Sequence, residues 1–200
     1  MPEITTLRVQ RETKPNVEDV LPYFLDGEMR KTALGFVAHL RENKMTLRWA
    51  GIQNVWSANC KGKIICKVML INDNWKNVPQ YSGHSWVVEP YLLFMDKYKD
   101  IIINEGLQDI IWDNFVDCVS CPSFRKSHSY DRPCSPGVTA VILGKEIKHF
   151  CATRPLTWIW DPDEADINSI KRLLELEQMA REVNKTEKRG GQWPPLEDIV

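Results

Sequence analysis

Apolar residues recur along the chain at two different periods, and the elements can be read from where each period holds. Met29, Ala33, Phe36, Val37 and Leu40 fall three or four residues apart. That single stripe predicts a helix over 26–43, with Glu28, Lys31, His39 and Arg41 mostly off it. Asp26 stands at its N-cap position, and Asn43 and Lys44 suit its C-terminal end. Near the other end of the chain, Ile167, Ile170, Leu173, Leu174, Ala180 and Val183 predict a long C-terminal helix. Asp161 and Glu164 have capping-box spacing there, and Pro162 occupies the first helical position. Glu177 and Arg181 are expected as an i,i+4 pair on its exposed side. Between these, Pro90 leads into a helix expected over 91–104, with Tyr91, Phe94, Met95, Tyr98, Ile101 and Ile102 spaced for a buried face. Gly106 breaks it, and 107–115 suggests a second, short helix.

Period-2 or continuous apolar runs fill much of the rest. Residues 46–50 and 54–58 are short and β-compatible. Residues 63–71 are bracketed by the Lys61-Gly62 and Asn72-Asp73-Asn74 turns, so a hairpin from 55–60 into 63–70 is predicted. Residues 84–88 and 138–143 also read as strands, with 147–152 as the hairpin partner of the latter or a turn leading to it. In 84–88, Ser85 and Val87 face one side and Trp86 and Val88 the other. Residues 155–160 form an apolar approach to the last helix. The polar start, with Ile4, Leu7 and Val9, is expected as a short strand or an arm, and Asn16 as the cap of a short turn carrying Val17 and Val20. From Asp117 to Pro136 periodicity stops. A loop this long is usually functional, held by something specific, or mobile. The expected architecture is α+β: an antiparallel sheet covered by helices, with a long C-terminal helix. One domain over 1–200 is expected, with 1–15 and 185–200 as peripheral arms and 117–137 as a long cysteine-bearing loop.

Charged residues make up 26% of the 200 and the formal net charge is −1. That balance excludes composition-driven disorder and argues against a nucleic-acid surface. The first twenty residues show no signal-peptide pattern, and no apolar run is long enough to span a bilayer. A cytoplasmic location is therefore expected, where six cysteines are thiols or metal ligands rather than disulfides.

Two groups of residues carry candidate chemistry. Cys118-x2-Cys121, with Cys134 and Cys151, supplies four thiolates that would hold zinc, His128 or His149 substituting; zinc is the candidate cofactor. Buried packing of the same cysteines and dithiol exchange are the alternatives. Against the last, the preceding helix ends at the motif, whereas thiolates are stabilised at helix N-termini. The chain also holds eight tryptophans. Trp49, Trp56, Trp75 and Trp86 lie on or beside predicted strands, and would line a cavity with Tyr81, His84 and Glu89 as its polar groups. Simple core filling is the alternative for each ring. The acidic run Asp161, Asp163, Glu164 and Asp166 suits a helix start, and Arg125, Lys126, Arg132 and Arg154 a loop surface. Phosphate-loop, dinucleotide, zinc-protease and serine-hydrolase motifs are absent.

Phe36-x-x-x-Leu40-Arg41, Trp49, the Lys61-Gly62-Lys63 turn, and Tyr98 followed by Glu105-Gly106-Leu107 resemble small uncharacterised bacterial proteins of the YdhG-like kind over residues 27–116. The resemblance implies a compact α+β fold with helices over an antiparallel sheet, and no catalytic residue. The segment from Val141 through Gly144-Lys145-Glu146 to Arg154-Pro155 is similar to uncharacterised proteins of anaerobic gut bacteria. The leading expectation is a binding domain, a sensor or accessory protein, for a small apolar or aromatic molecule, without nucleic-acid or membrane partners. A zinc- or thiol-dependent enzyme and a protein-interaction module are the alternatives. The residues leave the oligomeric state open.

Overall fold

Thr6 opens the chain's first helix by accepting a hydrogen bond from the Val9 amide, and α1 runs Leu7–Thr13. The computed structural model describes residues 2–76, 81–116, 138–150 and 157–183. The N-terminal segment is thus a docked helix rather than a strand. Its anchor is Gln10, fully buried, which accepts from the Asn54 amide (2.8 Å) and donates to Asn54 Oδ1 (2.6 Å). A polar residue does the docking, so the apolar pattern gave no sign of it. A single turn α2 (Val17–Val20) and a 3-10 turn (Leu21–Tyr23) lead to α3 (Gly27–Glu42). Ala33, Phe36, Val37 and Leu40 of α3 are buried, as its stripe requires.

Strands β1 (Thr46–Trp49), β2 (Val55–Cys60) and β3 (Lys63–Leu70) follow as an antiparallel meander. Lys61 and Gly62 join β2 to β3 with φ of 51° and 82°, the left-handed pair that a tight hairpin of this hand needs. The short α4 (Asp73–Lys76) precedes β4 (Trp86–Pro90), which pairs with β3. Helices α5 (Lys99–Asn104) and α6 (Gln108–Asp113) come next, parted by Gly106 at φ 69°. Strands β5 (Val138–Ile142) and β6 (Lys145–Phe150) make a separate hairpin, and β7 (Ile159–Trp160) pairs with β4. The chain then enters α7 (Glu164–Val183). The main sheet has the order β1-β2-β3-β4-β7. The fold is α+β, an antiparallel sheet flanked by helices with a long C-terminal helix.

Period-2 alternation sorts the sheet into two faces. On one, Trp56, Ala58, Cys66, Val68, Leu70, Trp86, Val88 and Ile159 pack against α3 and α7 in the main core. On the other, Val55, Met69, Ile71 and Val87 gather with Val116 and Trp158. A third cluster joins α5 and α6 to α7 and to the β5–β6 hairpin through Tyr98, Ile102, Ile111, Ile142, Ile147, Leu173 and Leu176. The Trp112 indole fastens that hairpin by donating to the Ile142 carbonyl (3.0 Å). No helix among the described residues is long and apolar enough to cross a membrane.

Four expectations are corrected. Glu177 and Arg181 do not lie on the exposed side of α7: Glu177 is 0% exposed, and Val183, expected on the buried side, is 73% exposed. Glu177 accepts from Arg181 Nε (2.6 Å), the Phe94 amide (3.0 Å) and the Tyr98 hydroxyl (2.8 Å). Arg181 also donates to the carbonyls of Ile64 (2.9 Å) and Tyr91 (3.2 Å). The helix expected from Tyr91 begins only at Lys99 for the same reason. The Tyr91 amide continues the sheet by donating to Ile65 (2.8 Å), and the Phe94 amide is committed to Glu177. Lastly, the box that starts α7 is formed by Asp163 and Asp166, each accepting from the other's amide. Asp161 is engaged elsewhere.

Removing one member of a buried ion pair leaves an uncompensated charge in the core and typically costs about 3–5 kcal/mol. Arg181→Met is therefore expected to lower the free energy of urea unfolding by about that much. Lys31→Met, which removes the exposed partner of Glu28, is expected to leave the unfolding midpoint in place.

Candidate functional site

At the β4–β7 edge the sheet carries a group of aromatic rings on the face turned away from α3. The alternation in Thr157-Trp158-Ile159-Trp160 sends Ile159 into the main core and both indoles to the opposite face. The segment is fixed from both sides. Trp160 pairs with Val87, the Trp158 amide donates to the Asn114 carbonyl (2.9 Å), and Thr157 bridges to Phe115. Trp75 arrives from α4, whose first turn is held by Asn72: its side-chain oxygen accepts from the Trp75 amide (3.1 Å). Tyr81 and His84 come from the turn before β4, closed by the His84 amide on the Tyr81 carbonyl (3.2 Å).

The rings meet at close range. Trp75 and Tyr81 are 5.6 Å apart between centroids, and Tyr81 stacks on Trp158 at 6.0 Å with planes 23° apart. Trp160 stands steeply to both, at 67° to Tyr81 and 80° to Trp158. His84 stacks on Trp160 at 4.7 Å. The result is a corner with two walls rather than one stack. Of the five, only Trp158 is buried, at 6% exposure; the other four are partly exposed.

Asp161 supplies the polar side of this corner. Its Oδ1 accepts from the amides of Ser85 (2.8 Å) and Trp86 (3.0 Å), and its Oδ2 from His84 Nδ1 (2.8 Å). The residue sits at φ 41°, a left-handed conformation that aspartate adopts more readily than most residues. With Nδ1 committed to the carboxylate, the neutral imidazole presents Nε2 as an acceptor.

The structure separates the residues proposed from sequence. Trp75, Tyr81 and His84 meet at the corner. Trp56 and Trp86 are fully buried on the opposite face, Trp56 donating its indole N–H to the Pro15 carbonyl (2.8 Å), and Trp49 packs against the same core. Glu89 lies on the corner's face but in another row, opposite Lys67, whose ammonium is 3.6 Å away. Burial works against the Lys67 charge, yet Tyr91 and Glu89 together hold its pKa above the ordinary lysine value. Trp158 and Trp160 were not proposed, although their alternation with Ile159 in a short apolar run was a readable strand signal.

Cys118, Cys121, Cys134, Cys151 and His128 lie outside the described residues, as do Arg125, Lys126, Arg132 and Arg154. Among the described residues no three His, Cys, Asp or Glu side chains are grouped to hold a metal ion. Cys60 and Cys66 are free and buried. Burial, and then the nearby Glu89 charge, push the Cys66 thiol far above the usual thiol range. It is a core residue, not a nucleophile. No family model, curated protein or solved structure matches the chain.

Because only the thiolate is alkylated, the peptide bearing Cys66 should stay unmodified by iodoacetamide in native protein up to pH 9 and react once urea is added; mass spectrometry of the digest reads this directly. Asp161→Ala leaves three donors without their acceptor. An unfolding free energy lower by about 1–3 kcal/mol is expected, with a red-shifted tryptophan emission as His84 and Trp160 loosen.

Proposed function

We propose that the protein is a small-molecule-binding domain, acting as a sensor or accessory protein, whose ligand is a small apolar or aromatic molecule seated in the Trp75–Tyr81–Trp158–Trp160 corner. One observation carries the reading: four rings remain partly exposed although they touch one another and a buried fifth. Rings serving only to fill a core would be sealed. Large apolar side chains gathered at a surface mark binding sites more often than isolated ones do. Perpendicular walls suit a flat molecule, which can stack on one ring and meet the edge of another. His84 Nε2, aimed by Asp161, gives such a ligand one polar contact and so an orientation.

The test is a tryptophan-fluorescence titration of the full chain with a panel of neutral fused-ring compounds and aliphatic amphiphiles. A saturable change is expected for at least one planar member, weakened tenfold or more by Trp160→Leu and by Tyr81→Leu in variants whose circular dichroism matches the parent. A panel without any saturable member, or affinities untouched by both substitutions, overturns the reading.

A further inference from the structure

The opposite edge of the sheet carries a second feature of different chemistry. Where β1 meets the connection between α1 and α2, a half-open groove of about 630 Å³ is lined by Lys14, Pro15, Asn16, Arg48 and Trp49, among others. That volume falls within the range of small-molecule sites. The lining holds two cationic side chains and no acidic one. Several cations in the described structure are answered by a carboxylate, as Arg41 is by Glu18 and Arg172 by Glu105. Lys14 and Arg48 have no ion-pair partner among the described residues.

The walls of this groove are held by buried polar contacts. Lys14 ends α1 in the left-handed region (φ 46°), a conformation uncommon for lysine. The next residue, Pro15, is fastened by its carbonyl to the fully buried Trp56 indole (2.8 Å). Across the groove, the turn after β1 is tied to the same N-terminal segment. Asn54 pairs with Gln10, and the Gln53 side chain donates to the Thr5 carbonyl (2.7 Å). The two cations are therefore presented from two segments locked to each other, with the partly exposed Trp49 ring between strand edge and solvent. Cations beside an aromatic face suit an anion that carries a ring: the charges meet the acid and the indole takes the plane.

We infer that this groove is a binding site for a small planar molecule bearing an anionic group, its acid met by Lys14 and Arg48 and its ring by Trp49. The site is independent of the aromatic corner, which lies at the far edge of the sheet and has no cation among its rings. Carboxylates and phosphates share the required chemistry.

Calorimetric titration of the full chain with 1-naphthoate, 1-naphthyl phosphate and the neutral 1-naphthamide tests the assignment and tells the two acids apart. At least one anion is expected to bind tenfold or more tighter than the amide, and to weaken as salt is raised. Arg48→Gln and Lys14→Gln, both surface changes, should each reduce that affinity at least fivefold, while Trp160→Leu leaves it unchanged. Equal binding of amide and acids, insensitivity to both cation substitutions, loss on Trp160→Leu instead, or no binding of either anion at millimolar concentration overturns the inference. None of these outcomes bears on neutral ligands at the corner.

Discussion

The buried pair of Glu177 and Arg181 holds three separate stretches of chain to one turn of α7. Through it the helix grips the start of β3 at Ile64, the residue after β4 at Tyr91, and the descending segment at Phe94 and Tyr98. Burying two charges is costly, and the geometry offsets the cost only because the remaining donors and acceptors are also satisfied. Here Glu177 accepts three hydrogen bonds, and Arg181 gives its other donors to two carbonyls. Tyr98 is part of the same lock. Burial first, and then the Glu177 carboxylate, hold its phenol well above the ordinary tyrosine pKa, so the hydroxyl remains a donor. A folded pKa raised in this way contributes stability that is complete below the ordinary tyrosine value and is lost only as pH climbs through the raised one.

That lock makes α7 a wall shared by two cores. Ile167, Ile170 and Leu174 face the sheet, while Leu173, Leu176 and Ala180 face α5, α6 and the β5–β6 hairpin. With α3 and α7 committed to one side of the sheet, its other side at the β4–β7 edge is left to aromatic rings. The division of labour among tryptophans follows from this. Trp56 and Trp86 occupy strand positions that point toward the helices and are sealed there; Trp158 and Trp160 occupy positions that point away. Strand parity decides which face each of these indoles joins.

Sequence periodicity located α3, the β2–β3 hairpin, β5 and α7 because each buries one regular face, and a regular face leaves a regular pattern. It could not place Glu177. An i,i+4 acid–base pair reads the same whether it faces water or a core, and only the chain packed over it decides. Helical spacing from Tyr91 to Asn104 was overridden by tertiary hydrogen bonds that no local pattern encodes. The β7 strand is two residues long, so its alternation shows only with the residues before it, and α1 is docked by a single glutamine. The candidate site was legible in part for the same reason. Tryptophan richness marked the sheet as aromatic, and Trp75, Tyr81 and His84 were singled out, but the split between faces depends on strand register. Trp160 takes its place opposite Val87, a partner more than seventy residues earlier.

Asp161 determines how the corner is coupled to the rest of the molecule. It follows β7 directly and stands three residues before α7, with its carboxylate spanning to the start of β4 and to His84. A molecule that shifts His84 or Trp160 must therefore strain the junction of β4, β7 and α7. The far end of that helix is fixed by the Glu177–Arg181 lock, so the strain cannot be relieved by sliding the helix; it has to be taken up near Asp161 itself. The groove at β1 is wired differently. Its contacts run through Gln10, Asn54 and Trp56, and none of its named fastenings passes through Asp161 or α7. A corner joined to the long helix through one carboxylate, and a groove joined to the N-terminal segment through one amide pair, are thus anchored to different parts of a single sheet.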